Sequence, residues 1–318
     1  MRRLHVEAAT PVVLDWNHTL AIYTLGYEQR SIYAAQHTRG HAMRRVVFGF
    51  MDCRMFAYQD NKDWYVSNGF DVRECLDTEF RGQLESLLAD FFIDDSDQPR
   101  ILIDISSLNR LRLAILIDVL RNTQLRTGVR VDFVYSLAEY SPPPNLTLVN
   151  RHVGPMTSEF SGWWTEPDLP TVAIVGVGYE EDKALGAIEH VQPSEVWLLF
   201  PRSPIPEYTS ALDRANASLL ENVKSERVLN YDVDQPYALF ANLESLVAGL
   251  SSRANCILLP FGPKLFALSS LLVACVHPDA AVWRVSGAEQ PNNRIGHSIH
   301  ALSVVFPRDT NLMVDTLT

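Results

Sequence analysis

Two short segments of the chain combine residue types and spacing that suit anion binding. Asp104-Ile105-Ser106-Ser107-Leu108-Asn109-Arg110 leads from an apolar run into a stretch of helical apolar spacing. Its cation falls at the start of that helix, where a positive charge opposes the helix dipole unless an anion or a carboxylate faces it. Pro260-Phe261-Gly262-Pro263-Lys264 puts Lys264 in the same place before a second apolar helix. Ser106, Ser107 and Asn109 add hydrogen-bonding groups in one copy, and Gly262 offers backbone access in the other. The plainer alternative, a capping loop with a solvated cation, stays open.

A second pair of segments supports the same chemistry. Gly26-Tyr27-Glu28-Gln29-Arg30-Ser31 and Gly178-Tyr179-Glu180-Glu181-Asp182-Lys183 each follow an apolar run. Glycine permits a tight exit from a strand, and a helix that follows presents unsatisfied N–H groups that attract anions. Arg30, Arg110, Lys183 and Lys264 are the cations that would neutralise phosphates. Tyr27 and Tyr179 would stack on bases or line the groove. Arg112 is read as a helix-surface residue. Glu28 and Glu180 are expected in a first helical turn, where a carboxylate complements the dipole even without a ligand.

Other chemistries find little support. The chain contains no Gly-x-Ser-x-Gly elbow, P-loop or His-Glu-x-x-His. Gly176-x-Gly178 followed by Gly186 has the wrong spacing for a dinucleotide fingerprint. His297-Ser298-Ile299-His300 alternates like a strand, and Asp94-Asp95-Ser96-Asp97 reads as a solvated turn, so no metal is expected. Cys53, Cys75, Cys256 and Cys275 lie far from Cys-x-x-Cys spacing and read as core thiols of a reducing compartment. No cofactor is implied.

The formal charge of −11 argues against a broad basic face for duplex DNA, although a pocket on an acidic protein can still be locally positive. The first residues lack the apolar stretch of a secretory signal. The longest apolar run, around Leu265–Val276, is too short and serine-broken for the roughly 20 residues of a spanning helix. A cytoplasmic protein with no membrane association is the expectation.

The elements that must position these segments repeat. Four stretches match in order at an offset of about 150 residues, which is how an internal repeat declares itself. Ile22–Glu28 matches Ala173–Glu180, and Val46–Phe50 matches Val196–Phe200. Ile103–Arg110 matches Ile257–Lys264, and Ser136–Glu139 matches Ser286–Glu289. Continuous apolar runs at Leu20–Leu25, Val46–Phe50, Arg100–Ile105 and Val131–Tyr135 read as strands covered on both faces. So do Thr171–Val175, Glu195–Phe200, Cys256–Leu259 and Ala281–Val285. Helix-length segments alternate with them. The fold class is therefore α/β, with two tandem homologous Rossmann-like domains, each a doubly wound and mostly parallel sheet, related by pseudo-two-fold symmetry.

A chain of 318 residues, 47% hydrophobic and 20% charged, comfortably holds two such cores. The boundary is expected near residue 155, giving halves 1–155 and 156–318. Residues 156–170, with Phe160-Ser161-Gly162-Trp163-Trp164, read as a packed aromatic connector. A strand at Leu146–Val149 would close the first half, and its counterpart at Ser298–Phe306 the second.

A strand ending in a polar or glycine-containing turn with Arg or Lys, then an apolar helix, resembles the ligand loop of CARF and SAVED sensor domains. Here that pattern is Gly26 to Ser31, Ser106 to Arg110 and their repeats. The resemblance implies Rossmann-like modules that bind cyclic oligonucleotides in antiphage signalling, at a cleft where strand-one and strand-four loops converge. The Gly-Gly-Thr-Lys form of that loop is replaced by Ser-Leu-Asn-Arg and Phe-Gly-Pro-Lys.

The leading expectation is a ligand-sensing protein that binds a nucleotide-type anion and acts through a separate effector protein. The site would comprise Gly26, Tyr27, Glu28, Arg30, Ser31, Ser106, Ser107, Asn109, Arg110, Gly178, Tyr179, Glu180, Lys183, Gly262 and Lys264. A metal-independent, ring-opening nucleotide phosphodiesterase and a structural subunit of a larger complex are the alternatives.

Overall fold

The computed structural model describes residues 4–91, 99–122, 128–142, 150–164, 166–180, 183–287 and 292–307. The expected strand at Leu146–Val149 and the acidic run at 94–97 lie outside these residues. In chain order the strands are β1 (His5–Ala9), β2 (His18–Leu25), β3 (Ala42–Phe50), β4 (Asp71–Cys75), β5 (Arg100–Asp104), β6 (Val129–Ala138) and β7 (Asn150–Pro155). They continue with β8 (Thr171–Gly176), β9 (Glu195–Arg202), β10 (Val228–Asp232), β11 (Asn255–Pro260), β12 (Ala281–Gly287) and β13 (Gly296–Phe306).

The helices are α1 (Tyr33–His37), α2 (Tyr58–Ser67), α3 (Asp77–Phe91), α4 (Arg110–Asn122) and α5 (Lys183–Val191). They continue with α6 (Pro206–Ala215), α7 (Ala217–Asn222), α8 (Pro236–Leu250) and α9 (Lys264–Val276). No helix among the described residues is long and apolar enough to cross a membrane.

The chain forms two compact α/β units. The first comprises Met1–Glu139 with Asn293–Thr318, the second Tyr140–Asn292. Among the described residues the first unit's sheet runs β1-β13-β6-β5-β2-β3-β4. The five strands from β6 to β4 are parallel, and β13 lies antiparallel to both β6 and β1. The second unit's sheet runs β10-β9-β8-β11-β12-β7, parallel except for β7.

Stripped of its antiparallel strands, each sheet has the order third, second, first, fourth, fifth, the Rossmann-like arrangement. The continuous apolar strands supply the cores. Tyr23, Leu25, Val47, Leu102 and Val134 anchor one, and Ala173, Val175, Leu198, Ile257 and Leu259 the other.

Each matched pair of segments occupies the same place in its sheet. Val46–Phe50 closes β3 and Val196–Phe200 lies in β9, while Arg110 and Lys264 are the first residues of α4 and α9. The edge strands β4 and β10 were not evident in sequence, because Asp71–Cys75 and Val228–Asp232 bury few side chains and carry no continuous apolar run.

Sheet membership departs from sequence order at the ends. The segment beginning at Asn150 pairs with β12 of the second unit, and the C-terminal strand pairs with β6 and β1 of the first. The two units thus divide the chain at Glu139/Tyr140 and again at Asn292/Asn293, rather than once near residue 155. Hydrogen bonding explains this: β13 has ten residues paired with β6 and completes a sheet whose other strands all precede Glu139. Residues 156–170 belong to the second unit. Phe160 is buried there, but Trp163 is 70% exposed, so the connector is only partly packed.

Candidate functional site

In an open sheet of this order, the loops after the first and fourth strands leave in opposite directions at the carboxyl edge, and ligands bind in the crevice between them. In the first unit these loops follow β2 and β5, and they touch. A Cβ placed on Gly26 would lie 2.7 Å from Ser107 Cβ and 2.9 Å from Ser107 Oγ, so only glycine lets the loops meet. Ser31 ties the first loop: its Oγ–H donates to Thr24 O at 2.7 Å and accepts the Gly26 N–H at 2.9 Å. The buried side chain of Asn61, on α2, donates to the carbonyls of Gly26 and Glu28, each at 2.9 Å.

The second loop is equally built. Asp104 is wholly buried, and its Oδ1 accepts the Ser106 N–H at 2.9 Å together with the Ser106 hydroxyl. Ser106 Oγ in turn accepts the Ser136 N–H at 2.7 Å, tying the loop to β6. Asn109 caps α4 by accepting the Arg112 N–H at 2.7 Å. Ser106 and Asn109 therefore shape the loop. The Ser107 hydroxyl, where the two loops meet, is buried without a hydrogen-bonding partner among the described residues. Such a group requires an explanation, because an unsatisfied buried donor is costly.

The cations divide into two kinds. Arg30 is 5% exposed, donates its Nε–H to Glu28 Oε2 at 2.5 Å and an Nη1–H to Ser136 O at 3.0 Å, and stacks near Tyr135. Burial alone would favour its neutral form, but the Glu28 charge outweighs this and raises its pKa, so it stays cationic. Arg30 is a structural tie of the loop, and its charge already faces Glu28. Arg110, half-buried at the head of α4, stands at the loop junction as the spacing requires.

Two expectations about this region are corrected. Glu28 lies in extended backbone ahead of a 3-10 turn at Gln29–Ile32, and the α-helix that follows has only five residues, so no long helix end points outward there. Arg112 is wholly buried rather than on the helix surface. Its Nε–H donates to Asp77 at 2.6 Å, and its Nη groups donate to Gly49 O at 3.0 Å and Cys75 O at 2.7 Å, the ends of β3 and β4.

The second unit repeats the convergence with different side chains. A Cβ on Gly262 would lie 2.6 Å from Val177 O, and the N–H groups of Phe261 and Gly262 donate to Gly176 O at 2.8 and 3.0 Å. Gly262 thus serves loop contact, its N–H being engaged within the protein. Asn216 donates to Gly178 O at 2.8 Å, as Asn61 does to Gly26. The Glu180 carboxylate folds back over Gly178, and Lys183 is buried at the head of α5. Lys264 is half-buried at the head of α9. Tyr179 packs on the core and lies 5.7 Å from the Tyr208 ring, which meets Tyr140 edge-on at 5.1 Å.

Sequence reasoning missed the segment that rims the first unit's loop. Asn293 Oδ1 accepts the Gln29 N–H at 3.0 Å, Arg294 O accepts the Arg30 N–H at 2.9 Å, and Arg294 Nε lies 3.8 Å from Glu28. Nothing in their spacing marks these residues, because they reach the loop only through the course of β13. Among the described residues no group of three or more His, Cys, Asp or Glu side chains is placed to hold a metal ion.

No family model matches the chain, and no curated protein does so by sequence. Its fold is similar to a solved structure described as a Type III CRISPR defence DNA nuclease activated by cyclic oligoadenylate. The TM-score is 0.50 and the identity 13%, over 85% of this chain and 67% of that one.

Proposed function

We propose that the chain is a nucleotide sensor of the CARF-like kind, binding a cyclic or linear oligonucleotide through the loops at the carboxyl ends of β2 and β5 and of β8 and β11. The observation that carries this reading is the meeting of the two loops at the switch point of the sheet. The Ser107 hydroxyl has no hydrogen-bonding partner there among the described residues, and Arg110 heads the adjoining helix. A phosphate oxygen would accept from that hydroxyl, and the N-terminal end of α4 favours the same negative charge. Lys264 offers the equivalent charge in the second unit. The similarity of fold to a nuclease activated by cyclic oligoadenylate supports a defence role for the same class of ligand.

In this reading the bound ligand would be signalled to a separate effector protein. The test is calorimetric titration of the full chain with cyclic and linear oligoadenylates, beside Arg110→Ala and Lys264→Ala. Each variant should bind at least tenfold more weakly, the loss of one charge-assisted contact. Affinity unchanged in both would remove these loops from the site.

A further inference from the structure

We propose that residues 51–57 of the first unit, between β3 and α2, form a base-stacking subsite, with Phe56 and Tyr27 as its platform and a purine-type base as its occupant. This rests on the nucleotide-sensing reading above and deepens it by separating base recognition from phosphate recognition.

The backbone gives the first reason. Phe56 has φ +46°, a left-handed conformation that a bulky side chain rarely adopts and that costs stability. Asn, Asp or Gly would sit there with less strain, so an aromatic held in this conformation points to a use for its ring. The ring is not buried to offset that cost, being 56% exposed. Met51 and Met55 of the same loop are 48% and 39% exposed. Three large apolar side chains are thus exposed within six residues of one loop.

The loop is also held in shape. Ala57 N–H donates to Tyr27 O at 3.1 Å, joining it to the residue after Gly26. Tyr58 N–H donates to Met55 O at 3.0 Å, and the Tyr58 hydroxyl to Phe50 O at 2.8 Å. The Phe56 and Tyr27 rings lie 6.1 Å apart at 49°. They stand at the carboxyl edge of the sheet, directly beside the loop that meets Ser107. Arg54, 53% exposed on its side chain, and Lys62 both pair with Glu74 near the end of β4, beside this loop.

Every base has a π-face, so an aromatic platform beside a phosphate-facing loop fits an oligonucleotide better than it fits a simple anion. The equivalent stretch of the second unit, between β9 and α6, reads Ser203-Pro204-Ile205 and carries no aromatic residue. Tyr179, the counterpart of Tyr27, instead meets Tyr208 of α6 at 5.7 Å, and that ring is only 8% exposed, so the exposed platform is a feature of the first unit's loop.

The test titrates the full chain with cyclic and linear oligoadenylates and with an abasic ribose-phosphate oligomer, using wild type, Phe56→Asn, Phe56→Trp and Lys264→Ala. Asparagine tolerates the left-handed backbone, so Phe56→Asn should melt no lower than wild type while binding oligoadenylates about tenfold more weakly. Its affinity for the abasic oligomer should be unchanged. Phe56→Trp should restore or tighten oligoadenylate binding, whereas Lys264→Ala should weaken both ligands. Wild-type affinity in Phe56→Asn, or a collapse of its melting temperature, would overturn the subsite and leave the sensor reading standing. A wild-type chain that binds neither probe would sink both.

Discussion

Arg112 donates its Nε–H to Asp77 at 2.6 Å from a position with no solvent exposure, while its remaining donors close the ends of two strands. The guanidinium plane also lies against Phe50, 3.9 Å from the ring centroid. Its planar fork serves one carboxylate and two carbonyls at once, which a lysine ammonium cannot do in the same geometry. Removing Arg112 leaves the Gly49 and Cys75 carbonyls without their donors, at about 1–3 kcal/mol each, whereas Asp77, 33% exposed, can rehydrate. Arg112→Leu should lose stability on that scale, and Arg112→Lys should recover only a minor part. Urea unfolding of the three proteins checks this; equal midpoints would mean that the tie is dispensable.

The contact between Gly26 and Ser107 predicts a coupled pair. Gly26→Ala forces a Cβ to within 2.7 Å of Ser107 Cβ, so the loops must part, at a cost of about 1–3 kcal/mol typical of overpacking. Ser107→Gly removes the obstructing atoms. The double variant should therefore be more stable than the sum of the single effects predicts, by at least about 0.5 kcal/mol. Strict additivity in denaturant melts would show that the loops do not press on each other.

Asn61 and Asn216 should behave alike although they lie in different units. Each donates its side-chain amide to the carbonyl of a loop glycine from a buried position. Alanine at either site leaves that carbonyl without its donor, costing about 1–3 kcal/mol. Hydrogen exchange should quicken in the loop after β2 for Asn61→Ala and in the loop after β8 for Asn216→Ala. Unaltered protection in both loops would count against the role assigned to these amides.

Asp132 predicts an acid-labile component of stability. It is wholly buried, and burial alone would raise its pKa. Hydrogen bonds from His18, Ser303 and Arg100, with the Arg100 charge, outweigh that and hold the carboxyl below the usual range. The unfolded chain then binds the proton more readily than the native one. The stability from this group is complete above the ordinary aspartate pKa and is lost as pH falls through the lower native value. Asp132→Asn should be less stable at neutral pH and show a shallower decline of urea midpoint between about pH 5 and pH 2. Parallel pH profiles would rule the carboxylate out as a source of acid sensitivity.

Much of this architecture is legible in the residues alone. The strands that carry the candidate loops are buried on both faces, so Leu20–Leu25 and Cys256–Leu259 appear as unbroken apolar runs. Arg110 and Lys264 are visible because each stands where such a run gives way to helical spacing. β4 and β10 lie at sheet edges, where half-exposed polar residues erase that signal. The burial of Arg112 is hidden for a different reason: its partners Asp77, Gly49 and Cys75 are brought to it by other elements. Nor does alternation in His297–His300 reveal which sheet receives that strand, because period-two patterning gives a face but not a neighbour.

The placement of β13 carries a consequence for how this protein is made. During synthesis from the N-terminus, the first unit has β6 without its antiparallel neighbour until Gly296–Phe306 has left the ribosome, whereas β7 to β12 of the second unit emerge before then. The later-translated unit is thus the first able to finish, reversing the usual N-terminal-first sequence of domain folding. A polypeptide cut short before Gly296 would carry its damage in the half that was translated earliest.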